Sequence, residues 1–198
     1  MIAEKLLACA TPAPLDPGNT LLLSNWATTG APTAQVGTII SVPGVSVVTP
    51  GTLDLGGVFV LCQFAPPASD DWVVDMYFDG PAPPTFNSST ILYLFQNYFG
   101  ALYLSDNGLS WTHFAAVPAG TAGRNHLAMG RQSGQMQAWL NGVRFLSGPA
   151  TSTFPWPPSG ADIQLSGGGS IGPVRVAGAD IYGNSATITV PTLPLGIV

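Results

Sequence analysis

Residues 124–145 read RNHLAMGRQSGQMQAWLNGVRF, and this stretch decides the fold. Leu127 and Met129 alternate with Ala128 and Gly130 up to the reversal Arg131-Gln132-Ser133-Gly134. Met136, Ala138 and Leu140 then alternate with Gln135, Gln137 and Trp139 up to Asn141-Gly142. A period of two marks a strand with one buried face, and Asn-Gly supplies the positive φ angles that a type I′ turn requires. The stretch predicts two antiparallel strands joined by one tight turn and closed by another.

The composition favours strands throughout. The chain has 24 glycines and 19 prolines in 198 residues, which interrupt helices and shape turns. Leu21–Trp26 reads as a strand, and residues 35–48 carry two β-branched runs, VGTII and VSVV, parted by Pro43-Gly44. Val58–Phe64 is apolar on both faces, as a central strand is. In 71–79, Trp72, Val74, Met76 and Phe78 share one face; Asp71, Val73, Asp75, Tyr77 and Asp79 share the other. Residues 91–95, 101–104 and 111–117 add strands, with Asn107-Gly108 as a turn. Phe154–Pro158 must be extended before its prolines, and 163–165 and 174–181 complete the count. Ten or more short strands suit an all-β, two-sheet antiparallel jelly-roll sandwich. Residues 1–20, with Pro12, Pro14 and Pro17, read as an N-terminal arm; residues 21–198 read as a single β-sandwich domain with an apolar C-terminal tail.

Asn125-His126-Leu127-Ala128 followed by Ala138-Trp139-Leu140-Asn141-Gly142 resembles the "W-H-H-V-A … G … L-Y-V-N-G" hairpin of laminin-G-like and concanavalin A-like sandwich domains. The likeness extends more loosely from about Leu53 to Tyr182, with Arg124 where the family motif opens on Trp. It implies the jelly-roll fold. It does not imply one function, because this fold carries lectins, glycosidases, adhesion modules and phage virion proteins alike.

Charge narrows the classes. Only 8% of residues are charged, against roughly 25% in ordinary soluble domains, and mean hydropathy is +0.33. Such a surface is either covered by uncharged polar groups or buried against partners. Lys5 and arginines 124, 131, 144 and 175 form no basic stripe in a chain of net charge −5, so no nucleic acid is expected as a partner. No apolar run approaches about 18 residues, so no membrane span is expected. Leu6-Leu7-Ala8-Cys9 superficially matches a lipoprotein cleavage box, but the apolar run before it is too short and carries Glu4. Cys9 and Cys62 lack metal-ligand spacing and leave the redox compartment open.

The glucanase mechanism that the resemblance would imply needs a pair of carboxylates, whereas Glu4 is the sole glutamate, so no enzyme is expected. His113 and His126 stand apart from ligand-type neighbours, and no Gly-x-Ser-x-Gly elbow is present. Asp71, Asp75 and Asp79 form the one acidic stripe, read as the solvated face of a strand in preference to a Ca²⁺ site. No cofactor is expected. Among the aromatics, Trp139, sharing a face with Gln135 and Gln137, is the leading candidate for an exposed glycan-stacking ring. Trp26, Trp72, Trp111, Tyr77, Tyr93, Tyr98, Tyr103 and Tyr182 are weaker candidates.

Two functional expectations follow. The first is a non-enzymatic virion structural protein, a capsid decoration protein or a tail or fibre appendage, assembled in the host cytoplasm. It would contact other virion subunits, as a homo-oligomer, through Leu6, Leu7, Pro12, Pro14, Trp156, Leu193 and Leu195. The alternative is an extracellular carbohydrate-binding module or lectin that holds cell-surface glycans through exposed aromatics.

Overall fold

The computed structural model describes residues 19–26, 29–41, 45–55, 57–88, 95–98, 100–150, 161–166, 170–195 and 198, all strand, turn or loop, with no helix among them. No helix long and apolar enough to cross a membrane occurs there. The first sheet is built in the order β13 (Val143–Pro149), β12 (Gln135–Leu140), β11 (Arg124–Gln132), β6 (Trp72–Asp79), β15 (Ser170–Ala177), β4 (Thr52–Asp54) and β3 (Ser46–Thr49). An eighth strand, β1 (Thr20–Ser24), pairs with β15. The second sheet runs β10 (His113–Ala116), β9 (Ala101–Leu104), β8 (Phe95–Tyr98), β7 (Thr85–Ser88), β14 (Ala161–Ser166), β5 (Phe59–Phe64) and β2 (Thr38–Ser41). All pairings are antiparallel, and the two sheets enclose one main core: a jelly-roll sandwich.

The decisive hairpin forms as its sequence dictates. Leu127 pairs with Leu140 and Gln132 with Gln135, leaving Ser133-Gly134 as a two-residue turn with φ of 50° and 69°. Asn141 and Gly142, at 49° and 83°, make the second such turn into β13. Their mirror-image geometry matches the right-handed twist of the flanking strands, which fixes the register. A slip of one residue would turn every core side chain outward.

That register sends Leu127, Met129, Met136 and Ala138 into the core beside Trp72, Val74, Met76 and Phe78 of β6. From the opposite sheet Phe86, Phe95, Leu102, Leu104, Ile163 and Leu165 meet them, with the Trp72 and Phe95 rings 6.3 Å apart. Burying each such side chain contributes about 1.5–3 kcal/mol. The two β-branched runs between residues 35 and 48 fall in different sheets: Thr38–Ser41 pairs with β5, and Ser46–Thr49 pairs with β4.

The C-terminal residues do not hang free. From Gly178 to Leu195 the chain lies over the outer face of the first sheet, held largely by side chains of the sheet that grip its backbone. Gln132 accepts from the Ile181 and Tyr182 amides and donates to the Ala179 carbonyl. Gln137 donates to Gly183, Trp139 to Ser185, and Asn25 exchanges two hydrogen bonds with Leu195. This segment covers much of the outer face of the first sheet; on the outer face of the second sheet Phe114, Ile40 and Phe59 are exposed, and Tyr103, Gln96, Asn87, Gln164 and Leu61 are half-buried.

Candidate functional site

The covered face of the first sheet takes in most of the residues that the sequence offered as sites. Trp139 is fully buried: its indole donates to Ser185 at 2.9 Å and meets Tyr182 edge-on at 5.6 Å. Gln137 is fully buried as well, and Gln135 is half-buried. The expected exposed stacking ring is thus corrected. Period-two alternation places Trp139 outward from the core, but the C-terminal segment then closes over it.

Asp75 departs from the solvated reading in the same way, at 0% exposure. One of its oxygens accepts from His126 Nε2 at 3.0 Å and from the Tyr182 hydroxyl at 2.6 Å; the other accepts from Arg175 Nε and Nη2 at 3.0 and 2.5 Å. Burial alone would raise the Asp75 carboxyl, but the His126 hydrogen bond and the Arg175 charge outweigh it and hold the group below the usual carboxylate range. Burial, with the Asp75 charge next, pushes the Tyr77 hydroxyl up to about 12. His126 stacks 4.9 Å from Tyr77 and serves this network.

Each aspartate of the acidic stripe faces an arginine. Asp79 is gripped by Arg124 at 2.9 and 3.0 Å, while Asp71 lies 3.7 Å from Arg131 and accepts from the Gly134 amide. The three carboxylates do not converge, and no group of three or more ligand-type side chains that could hold a metal occurs among the described residues. The Ca²⁺ candidate of Asp71, Asp75 and Asp79 is corrected accordingly. A cleft of about 370 Å³ opens between Pro50, Arg124, Pro173 and Leu193, but Arg124 there is already engaged by Asp79, Thr52 and Gly51.

The proposed partner contacts divide. Leu6, Leu7, Pro12, Pro14 and Trp156 lie outside the described residues, as do Glu4, Cys9 and Tyr93. Leu193 is 42% exposed. Leu195 is 2% exposed and packs with Leu23 and Tyr77 of its own chain, which removes it from the partner-facing set.

The second sheet is different. Phe86, Phe95, Leu102, Leu104, Ile163, Leu165, Val60 and Cys62 point into the core, so their alternates point out. Register then lines up one outward residue from every strand: Phe114 opposite Tyr103, Tyr103 opposite Gln96, Gln96 opposite Asn87, Asn87 opposite Gln164, Gln164 opposite Leu61, and Leu61 opposite Ile40. At about 4.8 Å per strand this row spans roughly 29 Å. Flanking it on β14, β5 and β2 are Asp162, Gln63 and Thr38 in one register position, and Thr85, Ser166 and Phe59 across β7, β14 and β5 in another.

The β10 end of the row is aromatic. Tyr103 stacks on Phe114 with centroids 6.0 Å apart and planes at 28°, and Trp111 lies 6.3 Å from Tyr103 with planes at 52°. Phe114 is 71% exposed even with Tyr103 stacked against it, so most of its ring faces solvent. The loop that leads into β10 is closed by its own hydrogen bonds. Ser105 Oγ accepts from the Gly108 amide, Asn107 Oδ1 accepts from the Leu109 and Ser110 amides, and the Asp106 amide donates to Thr112.

The middle of the row is amide, and it contains unmet groups. Asn87 Oδ1 and Asp162 Oδ1 are buried with no hydrogen-bond partner. Burial raises the Asp162 carboxyl, the mark of a charge with no cation beside it. An unmet buried acceptor costs about 1–3 kcal/mol. Phe114 escaped the sequence reading because WTHFAAV carries no polar alternation that would say which of its two faces is the open one.

No known protein family and no curated protein matches the sequence. Solved structures with a similar fold do exist. A mutant of HCR/D aligns over 84% of this chain and 49% of its own, with 9% identity and a TM-score of 0.60. The binding domain of botulinum neurotoxin DC in complex with SialylT aligns over 83% and 49%, at 11% identity and a TM-score of 0.56. Trypanosoma rangeli sialidase in complex with sialic acid aligns over 83% and 31%, at 10% identity and a TM-score of 0.51. The chain spans about half the length of these proteins or less. At these identities the likeness shows the sandwich fold.

Proposed function

We propose that this chain is a carbohydrate-binding β-sandwich that holds a glycan on the outer face of its second sheet, without turning it over. The observation that carries the reading is the row Phe114, Tyr103, Gln96, Asn87, Gln164, Leu61, Ile40. Aromatic faces stack on the C–H faces of sugar rings, while amides both donate to and accept from hydroxyls. A sheet face with both kinds of group, one carboxylate (Asp162) and no lysine or arginine on its strands has the chemistry of a polyol platform. The botulinum neurotoxin domain and the sialidase, similar in fold over 49% and 31% of their own lengths, are solved in complex with SialylT and with sialic acid; this supports a sandwich used for glycans and does not bear on the charge of the sugar held here.

Binding rather than hydrolysis is part of the proposal. The outward row and its flanks contain one carboxylate, Asp162, where a glycosidase needs two. The virion-subunit reading keeps only its arguments from composition, because Leu195 is taken up by the fold and the remaining contact residues except Leu193 lie outside the described residues.

The test is native electrophoresis of the full chain through gels containing soluble polysaccharides, with Phe114→Ala and Trp139→Phe run alongside. Retardation by at least one polysaccharide, weakened by Phe114→Ala and unchanged by Trp139→Phe, is expected. Equal retardation of all three proteins would move the site off this face.

A further inference from the structure

We infer that the ligand of this face is a neutral, linear, hydroxyl-rich glycan lying across the strands, and that the chain discriminates against carboxylated and sulfated sugars. The inference rests on the glycan reading above and specifies its substrate class.

The first argument is a segregation of charge. All four arginines belong to the first sheet: Arg124 and Arg131 in β11, Arg144 in β13 and Arg175 in β15. There they face Asp79, Asp70 and Asp71, the Gln137 and Asn184 carbonyls, and Asp75 respectively. The strands β2, β5, β7, β8, β9, β10 and β14 contain no lysine or arginine. Lys5 lies in the N-terminal segment outside the described residues. Recognition of a carboxylate or sulfate relies on guanidinium or ammonium donors, and the described residues of this face include none. It holds Asp162 instead, whose charge acts over a screening distance of about 8–10 Å.

The second argument is the polarity of the unmet groups. Asn87 lies opposite Gln164 on the neighbouring strand, and Asp162 precedes Gln164 by two residues on the same face. The atoms without partners at both positions, Asn87 Oδ1 and Asp162 Oδ1, are acceptors. Both atoms are buried, so a ligand that donates meets them only once these side chains turn outward. Sugar hydroxyls donate; ionised carboxylates and sulfates only accept. Gln96 and Gln164, which do both, complete a strip matched to adjacent hydroxyls.

The third argument is shape. The aromatic shelf of Tyr103, Phe114 and Trp111 lies at one end, the amides lie in the middle, and Leu61 and Ile40 lie at the other end. An extended chain can touch all three zones along a row of roughly 29 Å, whereas a single sugar can touch one.

Calorimetric titration of the full chain with neutral hexasaccharides of glucose, xylose and mannose, and with hexagalacturonate and a sulfated glucose hexasaccharide of the same length, tests this. At least one neutral hexasaccharide should bind about tenfold or more tighter than either anion, as expected when one charge-assisted contact is missing and one repulsion is present. Affinity should rise from disaccharide to hexasaccharide. Tyr103→Ala should weaken neutral binding by about three- to tenfold, and Asp162→Lys should raise affinity for the anions. If an anion binds as tightly as the neutral sugars and remains sensitive to Tyr103→Ala, the neutral specificity is overturned while the face itself stands. If no sugar of either class binds, or binding ignores Tyr103→Ala and Gln164→Ala, the glycan reading of this face falls with it.

Discussion

Replacing Asp75 by Asn would isolate the energetics of the covered face. The substitution keeps the shape of the side chain and removes its charge, leaving the Arg175 guanidinium 4% exposed without a counter-charge. Breaking a buried pair from one side costs about 3–5 kcal/mol, because the remaining charge stays desolvated. A single domain has roughly 5–15 kcal/mol in total, so the variant should lose a large share. At 2–4 °C per kcal/mol for a domain of this size, the melting temperature should fall by roughly 6–20 °C. Urea unfolding followed by tryptophan fluorescence would read this as a lower midpoint with an unchanged slope. The double variant Asp75→Asn/Arg175→Gln should cost less than the sum of the single changes, with a coupling of about 0.5–3 kcal/mol.

The pH dependence follows with a definite sign. Burial opposes the Asp75 charge, but His126 and Arg175 hold its folded-state value below the unfolded one. The unfolded chain therefore binds the proton first as the solution is acidified. The contribution is complete above the unfolded carboxyl value of about 3.9 and is lost as pH falls through the folded value. Asp75→Asn should flatten this acid limb. A loss of under about 1 kcal/mol, the level of a surface pair, with an unaltered acid limb would refute the buried-network account.

Other predictions test the remaining pieces. Trp139→Ala should destabilise the chain by about 3–5 kcal/mol in chemical denaturation, the cost of emptying a large buried site, whereas Tyr103→Ala should change stability little. Gly130→Ala should cost about 3 kcal/mol or more in the same assay, since a Cβ there would stand 2.1 Å from the Trp72 carbonyl oxygen. Cys62 is a free, buried thiol whose ionisation is pushed up to about 12, by burial first and by the Asp162 charge second. In a Cys9→Ala chain at pH 8, a thiol reagent should therefore modify Cys62 only after denaturant is added.

The sequence made the sandwich legible because period-two alternation and the Asn-Gly turn are local signals. Trp72, Val74, Met76 and Phe78 could be placed in the core from their spacing alone, and the structure has them there. What spacing could not reveal was a second cover. Asp75 and Trp139 sit on the outward side of their strands, as alternation says, and are buried because residues 178–195 return over them. That return depends on side-chain-to-backbone hydrogen bonds between residues tens of positions apart, such as Gln132 with Ile181 and Asn25 with Leu195, and these leave no periodic trace. The open row was hidden for a related reason. Its seven members come from seven separate strands, and only the register of six pairings brings Phe114 and Ile40 onto one line.

The central claim, a glycan platform on the second sheet, is tested most directly by following backbone amide resonances while a neutral hexasaccharide is added to the isotope-labelled chain. The account predicts that amides of Tyr103, Phe114, Gln96, Asn87 and Gln164 move together and saturably, while those of Gln137, Trp139 and Tyr182 stay in place. Shifts confined to the first sheet and its C-terminal cover, or no shifts with any sugar tested, would contradict it.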